Sequence, residues 1–218
     1  MRKLVVNTFL TLDGVMQAPG GPEEDPTGGF EYGGWSATYW DDAMGAEMGE
    51  FMGKPFDLVL GRGTYEIFAA HWPHSDEPGA EELNSATKYV ASTTLTEPLD
   101  WQNSHLIDGD VPTGIRKLKE EDGPELQVHG SAGLIQTLLN EGLVDEIRVW
   151  TFPVMIGKGK RLFGDGTVPT GLKLTNSTVS STGVIMAAYE PVGDVPIGSF
   201  ALEQPTDAEL DRRERLAG

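Results

Sequence analysis

The chain has 218 residues, 39% of them hydrophobic, a formal net charge of −18 and no cysteine. That length fits one domain, or one domain with an appendage, and the apolar share is enough for a core. The charge disfavours nucleic acid and anionic lipid as partners, and the lack of thiols excludes disulfides, a cysteine nucleophile, cysteine-bound zinc and iron–sulfur clusters.

Met1-Arg2-Lys3 leads directly into a short apolar stretch interrupted by Asn7 and Thr8, with no small-residue cleavage site. Residues 3–10 therefore read as a first strand, not a signal peptide, and the expected location is the cytoplasm. No apolar run is long enough to cross a bilayer. Residues 11–37 form a long loop rich in Gly and Pro. Loops of that length are usually functional when ordered. Phe30, Tyr32, Trp35, Tyr39 and Trp40, along and just past it, argue against a plain linker. Asp41 and Asp42 open a helix to about Met52, where carboxylates suit the positive end of the dipole. Met44, Met48, Phe51 and Met52 recur at helical spacing as a core stripe.

Residues 57–61 read as a strand, followed by a helix from Thr64 to about Ala70 and a short helix within 77–86. Strands at 88–92 and 104–107 precede a helix at 111–121. A strand at 125–129 leads to a helix at 131–141 that Gly142 ends as a C-cap. Residues 145–152 are a strand and 153–166 a Gly- and Lys-rich loop. Residues 172–180 and 184–190 form a hairpin about Ser181-Thr182-Gly183. Strands alternating with helices, closed by an antiparallel pair, give an α/β fold with a mostly parallel sheet and an antiparallel edge. Residues 1–193 are expected to be the domain and 194–218 a tail. In the tail, Thr206 and Glu209 have capping-box spacing ahead of a short charged helix, Asp207 to Leu216. His71, His74, His105 and His129 are scattered and Pro73 separates the first two, so no metal site is expected.

Two segments stand out. Asp57-Leu58-Val59-Leu60-Gly61-Arg62-Gly63-Thr64 and Glu125-Leu126-Gln127-Val128-His129-Gly130-Ser131-Ala132-Gly133 each read as a buried strand, a tight glycine turn and a helix start. A helix start has free N–H groups and partial positive charge, so it attracts anions. Two of them, one with an Arg, suit a ligand with several phosphates. There is no G-x-G-x-x-G after the first strand, which argues against a Rossmann domain.

The order of these segments resembles the dihydrofolate reductase fold. More closely it resembles the reductase domain of the bifunctional riboflavin-pathway deaminase/reductase and its free-standing bacterial relatives. The residues that carry the resemblance are Thr11-Leu12-Asp13-Gly14, Gly61-Arg62-Gly63-Thr64-Tyr65-Glu66, Ser92-Thr93, Gly130-Ser131-Ala132-Gly133 and Pro153 through Phe163, spanning residues 3 to about 191.

The resemblance implies NADPH as cofactor, with Gly61, Arg62, Thr64, Ser92, Thr93, Gly130, Ser131, Ala132 and Gly133 around it. Arg62 with the hydroxyls of Ser92 and Thr93 would meet the 2′-phosphate; alternatively, Arg62 pairs with a nearby carboxylate. Asp13 and Gly14 fall in the loop that the family lays over nicotinamide and substrate, although Asp-Gly is also a common turn pair. Asp13, Trp35, Tyr39 and Lys158 are the substrate candidates. Lys158, in Gly157-Lys158-Gly159-Lys160-Arg161, would meet a substrate phosphate or lie on a surface or dimer contact. Asp13 and Asp42 are the catalytic candidates, since proton delivery needs an acid within reach; for Asp42 the alternative is partnering the helix dipole.

The implied activity is hydride transfer to a small heterocyclic or ribosylated pyrimidine-type substrate, as in a 5-amino-6-(5-phosphoribosylamino)uracil reductase. The rivals are a non-catalytic NADP(H)-binding module and a true dihydrofolate reductase. The lack of a zinc-deaminase motif separates the chain from the full bifunctional enzyme. A homodimer is expected from the resemblance.

Overall fold

The computed structural model describes residues 1–164 and 167–217. Asp165 and Gly166, the end of the Lys-rich loop, lie outside the described residues. Eight strands build one sheet: β1 (Leu4–Thr11), β2 (Phe56–Gly61), β3 (Lys88–Ala91), β4 (Ser104–Leu106), β5 (Glu125–His129), β6 (Glu146–Phe152), β7 (Gly171–Val179) and β8 (Ile185–Gly193). Their order is β4-β3-β2-β5-β1-β6-β8-β7. The first six in that order run parallel, and β8 and β7 are antiparallel to their neighbours. The sheet is mostly parallel with an antiparallel C-terminal hairpin, flanked by helices on both faces.

Both faces of the central strands are covered, which is why their sequences are nearly continuous apolar runs. On one face, Leu4 and Val6 of β1, Val59 of β2 and Leu126 and Val128 of β5 pack against two helices. Those are α4 (Val111–Glu120), through Ile115, and α5 (Ala132–Asn140), through Leu134, Ile135 and Leu138. The opposite face carries α1 (Asp42–Met52), α2 (Arg62–His71) and α3 (Ala80–Ser85). There Met44 of α1 joins Trp150 and Phe152, while Met52 joins Leu58, Leu60, Tyr65 and Leu83. Met48 and Phe51 touch both of these clusters, so the stripe on α1 is core.

Some boundaries differ from the sequence reading for local reasons. α2 begins at Arg62, two residues early, because Gly61 is extended (φ −73°, ψ 157°) and serves as N-cap. β3 stops at Ala91 because the Ser92 hydroxyl accepts from the N–H groups of Thr94 (3.2 Å) and Leu95 (3.0 Å), which curls the chain out of the ladder. In the tail, α6 (Asp207–Ala217) starts with Thr206 Oγ1 accepting from the Glu209 N–H at 3.3 Å. Glu209 does not reach back, because Arg212 and Arg213 hold its carboxylate. Among the described residues no helix is long and apolar enough to cross a membrane.

Candidate active site

The carboxyl ends of β2 and β5, neighbours in the sheet, each run into a helix. Neither α2 nor α5 has a side-chain cap on its N-terminus. Their first-turn N–H groups point away from the strand ends and add two partial positive charges side by side. The two starts are stitched together. The Ser131 N–H donates to Thr64 Oγ1 at 2.9 Å, and the Gly61 N–H donates to Ser131 Oγ at 3.0 Å. Gly130 (φ +55°) and Ser131 (φ 62°) are both left-handed, which turns β5 sharply into α5. A Cβ on Gly130 would lie 3.2 Å from Thr64 Oγ1, whereas Cβ atoms on Gly63 and Gly133 would meet nothing within 4 Å. The space over the first turns, which include Ala132, is open and the wall behind it is tight. That is the form of a cradle for a ligand's phosphates.

Beside this cradle Arg62 is exposed. Its Nε donates to Glu66 Oε1 at 2.8 Å and a terminal nitrogen donates to Thr94 Oγ1 at 2.7 Å. The carboxylate pairing considered from sequence is therefore present, and it joins Arg62 to the hydroxyl corner after β3. Ser92 Oγ lies 3.5 Å from Thr94 Oγ1. Thr93 lies between them, and Thr94 is the hydroxyl that reaches Arg62.

Asp13 is a clamp. Its carboxylate accepts from Thr11 Oγ1 (2.6 Å) and from the N–H groups of Ile156 (3.2 Å) and Gly157 (2.7 Å), and Arg161 lies 3.6 Å away. These bonds, the Thr11 hydroxyl first, lower its pKa to about 2. Through these bonds the Asp13 carboxylate holds two loops together. The same two loops are joined by Lys160 and Asp25 at 2.5 Å and by Gln17, whose side-chain Oε1 accepts from the Lys160 N–H at 3.0 Å. The positive patch of 157–161 is thus largely neutralised by the acidic loop 11–37. Lys158 remains exposed.

Trp35 is buried, its Nε1–H donating to Gln17 O at 2.8 Å and its ring edge-on to Phe152 at 5.2 Å. It shapes the loop from inside. Tyr39 is half-buried and also edge-on to Phe152, at 5.9 Å. Asp41 caps α1 by accepting from the Met44 N–H (3.0 Å) and latches the β7–β8 turn through the Ser181 N–H and Oγ (both 2.7 Å). The Ser181 hydroxyl is the main cause of its lowered pKa. Asp42, one residue on, is exposed on the first turn of α1.

The sequence reading passed over a polar row on the α1/α2 face. Glu125, Gln127 and His129 of β5 alternate along one side, with Asn7 of β1 and Arg148 of β6 on neighbouring strands. His129 Nε2 is 2.9 Å from Gln127 Oε1, and its pKa is lowered to about 4 by burial, with the Arg148 charge adding. The signal was present as polar residues at period two inside a strand that is otherwise apolar.

An eight-stranded sheet of this order, with paired helix starts at its carboxyl edge, defines the dihydrofolate reductase-like class. Residues 2–186 match the family described as the RibD C-terminal domain, and the chain belongs to that family. It is 29% identical to the uncharacterized Bacillus subtilis protein YyaP over 197 residues, 86% of this chain and 94% of YyaP. A pyrimidine reductase-like protein from Corynebacterium diphtheriae superposes with a TM-score of 0.58 at 14% identity, over 88% of this chain and 93% of that one. The diaminohydroxyphosphoribosylaminopyrimidine deaminase/5-amino-6-(5-phosphoribosylamino)uracil reductase of Thermotoga maritima gives 0.56 at 16% identity, over 88% of this chain and 57% of that one. Dihydrofolate reductase from Enterococcus faecalis, complexed with NADP(H) and RAB-propyl, gives 0.55 at 13%, over 87% and 96%. At these identities the structures establish the fold. Family and fold together support a reductase-type function.

Proposed function

We propose that the protein is a cytoplasmic, NADPH-dependent reductase acting on a small heterocycle of the pyrimidine type, free or ribosylated. The observation that carries this reading is the pair of uncapped helix starts bonded to each other through Thr64 and Ser131. Gly61, Gly130, Ser131, Ala132 and Gly133 would surround the pyrophosphate. Arg62 with Ser92, Thr93 and Thr94 would hold the 2′-phosphate, the guanidinium exchanging its Glu66 partner for the more highly charged anion. When bound, NADPH supplies the hydride. The chain's own residues bind, orient and exclude water. The loop held by Asp13, Asp25 and Gln17 would cover the site, with Trp35 as its internal strut and Tyr39 just past its end. Lys158 would meet a phosphate on the substrate. With Asp13 and Asp41 both committed to other bonds, the proton comes from Asp42 or from water. We also propose a homodimer through the β7–β8 hairpin, whose outer strand is exposed over most of its length.

The commitment of Asp13 and Asp41 favours one rival, a non-catalytic NADP(H)-binding module. Turnover of NADPH with candidate heterocycles separates the two, because a binding module saturates without oxidation. The primary test is a titration of wild type and Arg62→Ala with NADPH and NADH, followed by nicotinamide fluorescence. Tight NADPH binding, weak NADH binding and loss of that preference in the variant are expected. No binding of either nucleotide by the wild type would sink the reductase reading.

A further inference from the structure

Two apolar surfaces of the chain are left bare at once. The first is on the β7–β8 hairpin. Leu172, Leu174 and Val179 of β7 are in register with Pro191, Tyr189 and Ile185 of β8, so these side chains share one face of the sheet. It is the face on which Ala187 and Tyr189 join the cluster built on α4 and α5. Beyond them the cover ends, and Leu174, Val179 and Ile185 are 50%, 64% and 46% exposed. The second surface is the segment between β8 and α6, where no helix or strand forms. In it Val195, Ile197, Phe200 and Leu202 are all exposed, Ile197 to 96%.

The segment leaves the domain at the open end of the hairpin. Gly193 is left-handed (φ +100°) and pairs with Gly171, where a Cβ would lie 2.8 Å from the Asp194 carbonyl oxygen. From Val195 onward the tail bonds only to itself. The Ala201 N–H donates to Ser199 Oγ, the Glu209 N–H to Thr206 Oγ1, and Arg212 and Arg213 to the Glu209 carboxylate. Among the described residues no hydrogen bond or ion pair ties 195–217 to the domain. The folded chain thus carries an apolar segment beside an apolar face and does not use one to cover the other. Charge distribution selects the partner. The chain is 23% charged with a net charge of −18, yet residues 174–189 and 195–202 contain no Asp, Glu, Lys or Arg. Two copies repel over most of their surfaces and meet at least cost where neither is charged. A basic partner would be drawn to the acidic surface and not to this neutral one. Residues 195–202 also lie beyond the 2–186 matched to the family, so the family assigns the segment no role.

We propose that residues 195–202 are an exchanged arm: the segment of one copy packs across the bare hairpin face of a second copy, and the second copy's arm packs across the first. The inference rests on the homodimer reading and adds the element that covers the hairpin. Two-fold symmetry makes the same contact twice. One strand edge is a small contact, and the doubling moves it towards the roughly 1,200–2,000 Å² that stable interfaces bury. Phe200, the largest apolar side chain of the arm, is its anchor on Leu174 and its neighbours.

The chain has no cysteine, so introduced thiols report this contact alone. Full-length Leu174→Cys and Phe200→Cys, one of them carrying an affinity tag, are mixed at about 1 M salt and treated with a flexible bis-maleimide. Both positions are exposed in the single chain, so neither change disturbs the core. A covalent pair of tagged and untagged chains is expected. A control mixture of Phe200→Cys with His105→Cys, on β4 at the opposite edge of the sheet, is expected to give none. Phe200→Asp is expected to weaken the dimer about tenfold or more by sedimentation, with the low-salt unfolding midpoint unchanged. A mixed pair no more abundant than in the control overturns the inference. So does closure within single chains of Leu174→Cys/Phe200→Cys without any mixed pair, which puts the arm on its own hairpin. A wild-type dimer that neither cross-links through the arm nor responds to Phe200→Asp overturns the inference and leaves the homodimer reading standing. A wild type that is monomeric at every salt concentration overturns both.

Discussion

Gly130 and Ser131 show how a single turn couples folding to the site. Both occupy the left-handed region, where a side chain costs energy unless the surroundings enforce it. A Cβ on Gly130 would crowd the Thr64 hydroxyl at 3.2 Å in a left-handed backbone, so Gly130→Ala is expected to cost about 1–3 kcal/mol of stability and to weaken NADPH binding, read by denaturant melts and fluorescence titration. Ser131→Gly removes the left-handed penalty but also the oxygen that accepts from the Gly61 N–H, so its stability is expected to change less than its nucleotide affinity. Lys88 supplies a second test. It is fully buried, with Nζ donating to Asn84 O at 2.7 Å and lying 4.2 Å from the centre of the Trp101 ring. Burial lowers its pKa to about 8. Between that value and the ordinary 10.5 the unfolded chain binds the extra proton, so the Lys88 contribution to stability rises with pH across this window. Urea melts at pH 7.5 and 9.5 should show that rise in wild type and lack it in Lys88→Met. Arg62, Thr64 and Ser131 were legible in the sequence because glycine turns mark them. The Asn7–Gln127–His129 row was hidden because its members lie on strands 120 residues apart, and no local pattern states that β1 and β5 are neighbours.

Among the elements, the clearest lesson is the pairing of two loops. In the sequence, residues 11–37 read as a long loop that the resemblance lays over nicotinamide and substrate, and 157–161 as a basic segment for a substrate phosphate or a surface contact. In the structure each is the other's main partner, through Asp13 with Ile156, Gly157 and Arg161 and through Asp25 with Lys160. Short-range charge counting finds both segments but not that they meet, since contact depends on β1 and β6 lying side by side. Parallel pairing was legible from strand–helix alternation; strand order was not. Asp13→Asn keeps the shape but loses the anion that two N–H groups and an Arg surround. The variant is expected to show faster limited proteolysis within 11–37 and a higher KM, with a smaller change in the global unfolding midpoint. The pH dependence has a definite sign. The folded pKa of Asp13 is depressed to about 2 from 3.8, so its clamping contribution is complete above about pH 4 and is lost as pH falls towards 2. Proteolysis rates of wild type and Asp13→Asn should therefore converge at acid pH; rates that stay parallel would show that Asp13 does not hold the loop.

For the whole molecule, the net charge of −18 and the open edge of the sheet act against each other. β7 is the outermost strand, and Leu172, Leu174 and Val179 on it, with Ile185 and Val192 on β8, are 42–64% exposed. An edge of unpaired N–H and C=O groups with apolar side chains favours association with another strand or sheet face. Two copies each carrying the same large negative charge repel, and that repulsion reaches about 10 Å at 0.1 M salt but only about 3 Å at 1 M. If the hairpin is the dimer contact, sedimentation should show a shift from monomer towards dimer as salt rises, because screening removes the repulsion and leaves apolar burial intact. Unfolding midpoints should rise over the same range, since screening also relieves repulsion within each chain. Screening also weakens the loop ion pairs, whose cations Lys160 and Arg161 are 49% and 41% exposed, but these are two pairs set against a net charge of −18. Leu174→Lys adds a cation to the outer strand and leaves the core and cradle untouched. It should stay monomeric at high salt while its midpoint rises as in wild type. A variant that dimerises as wild type does would move the interface away from the hairpin, and a wild type that dissociates as salt rises would make the contact electrostatic instead of apolar.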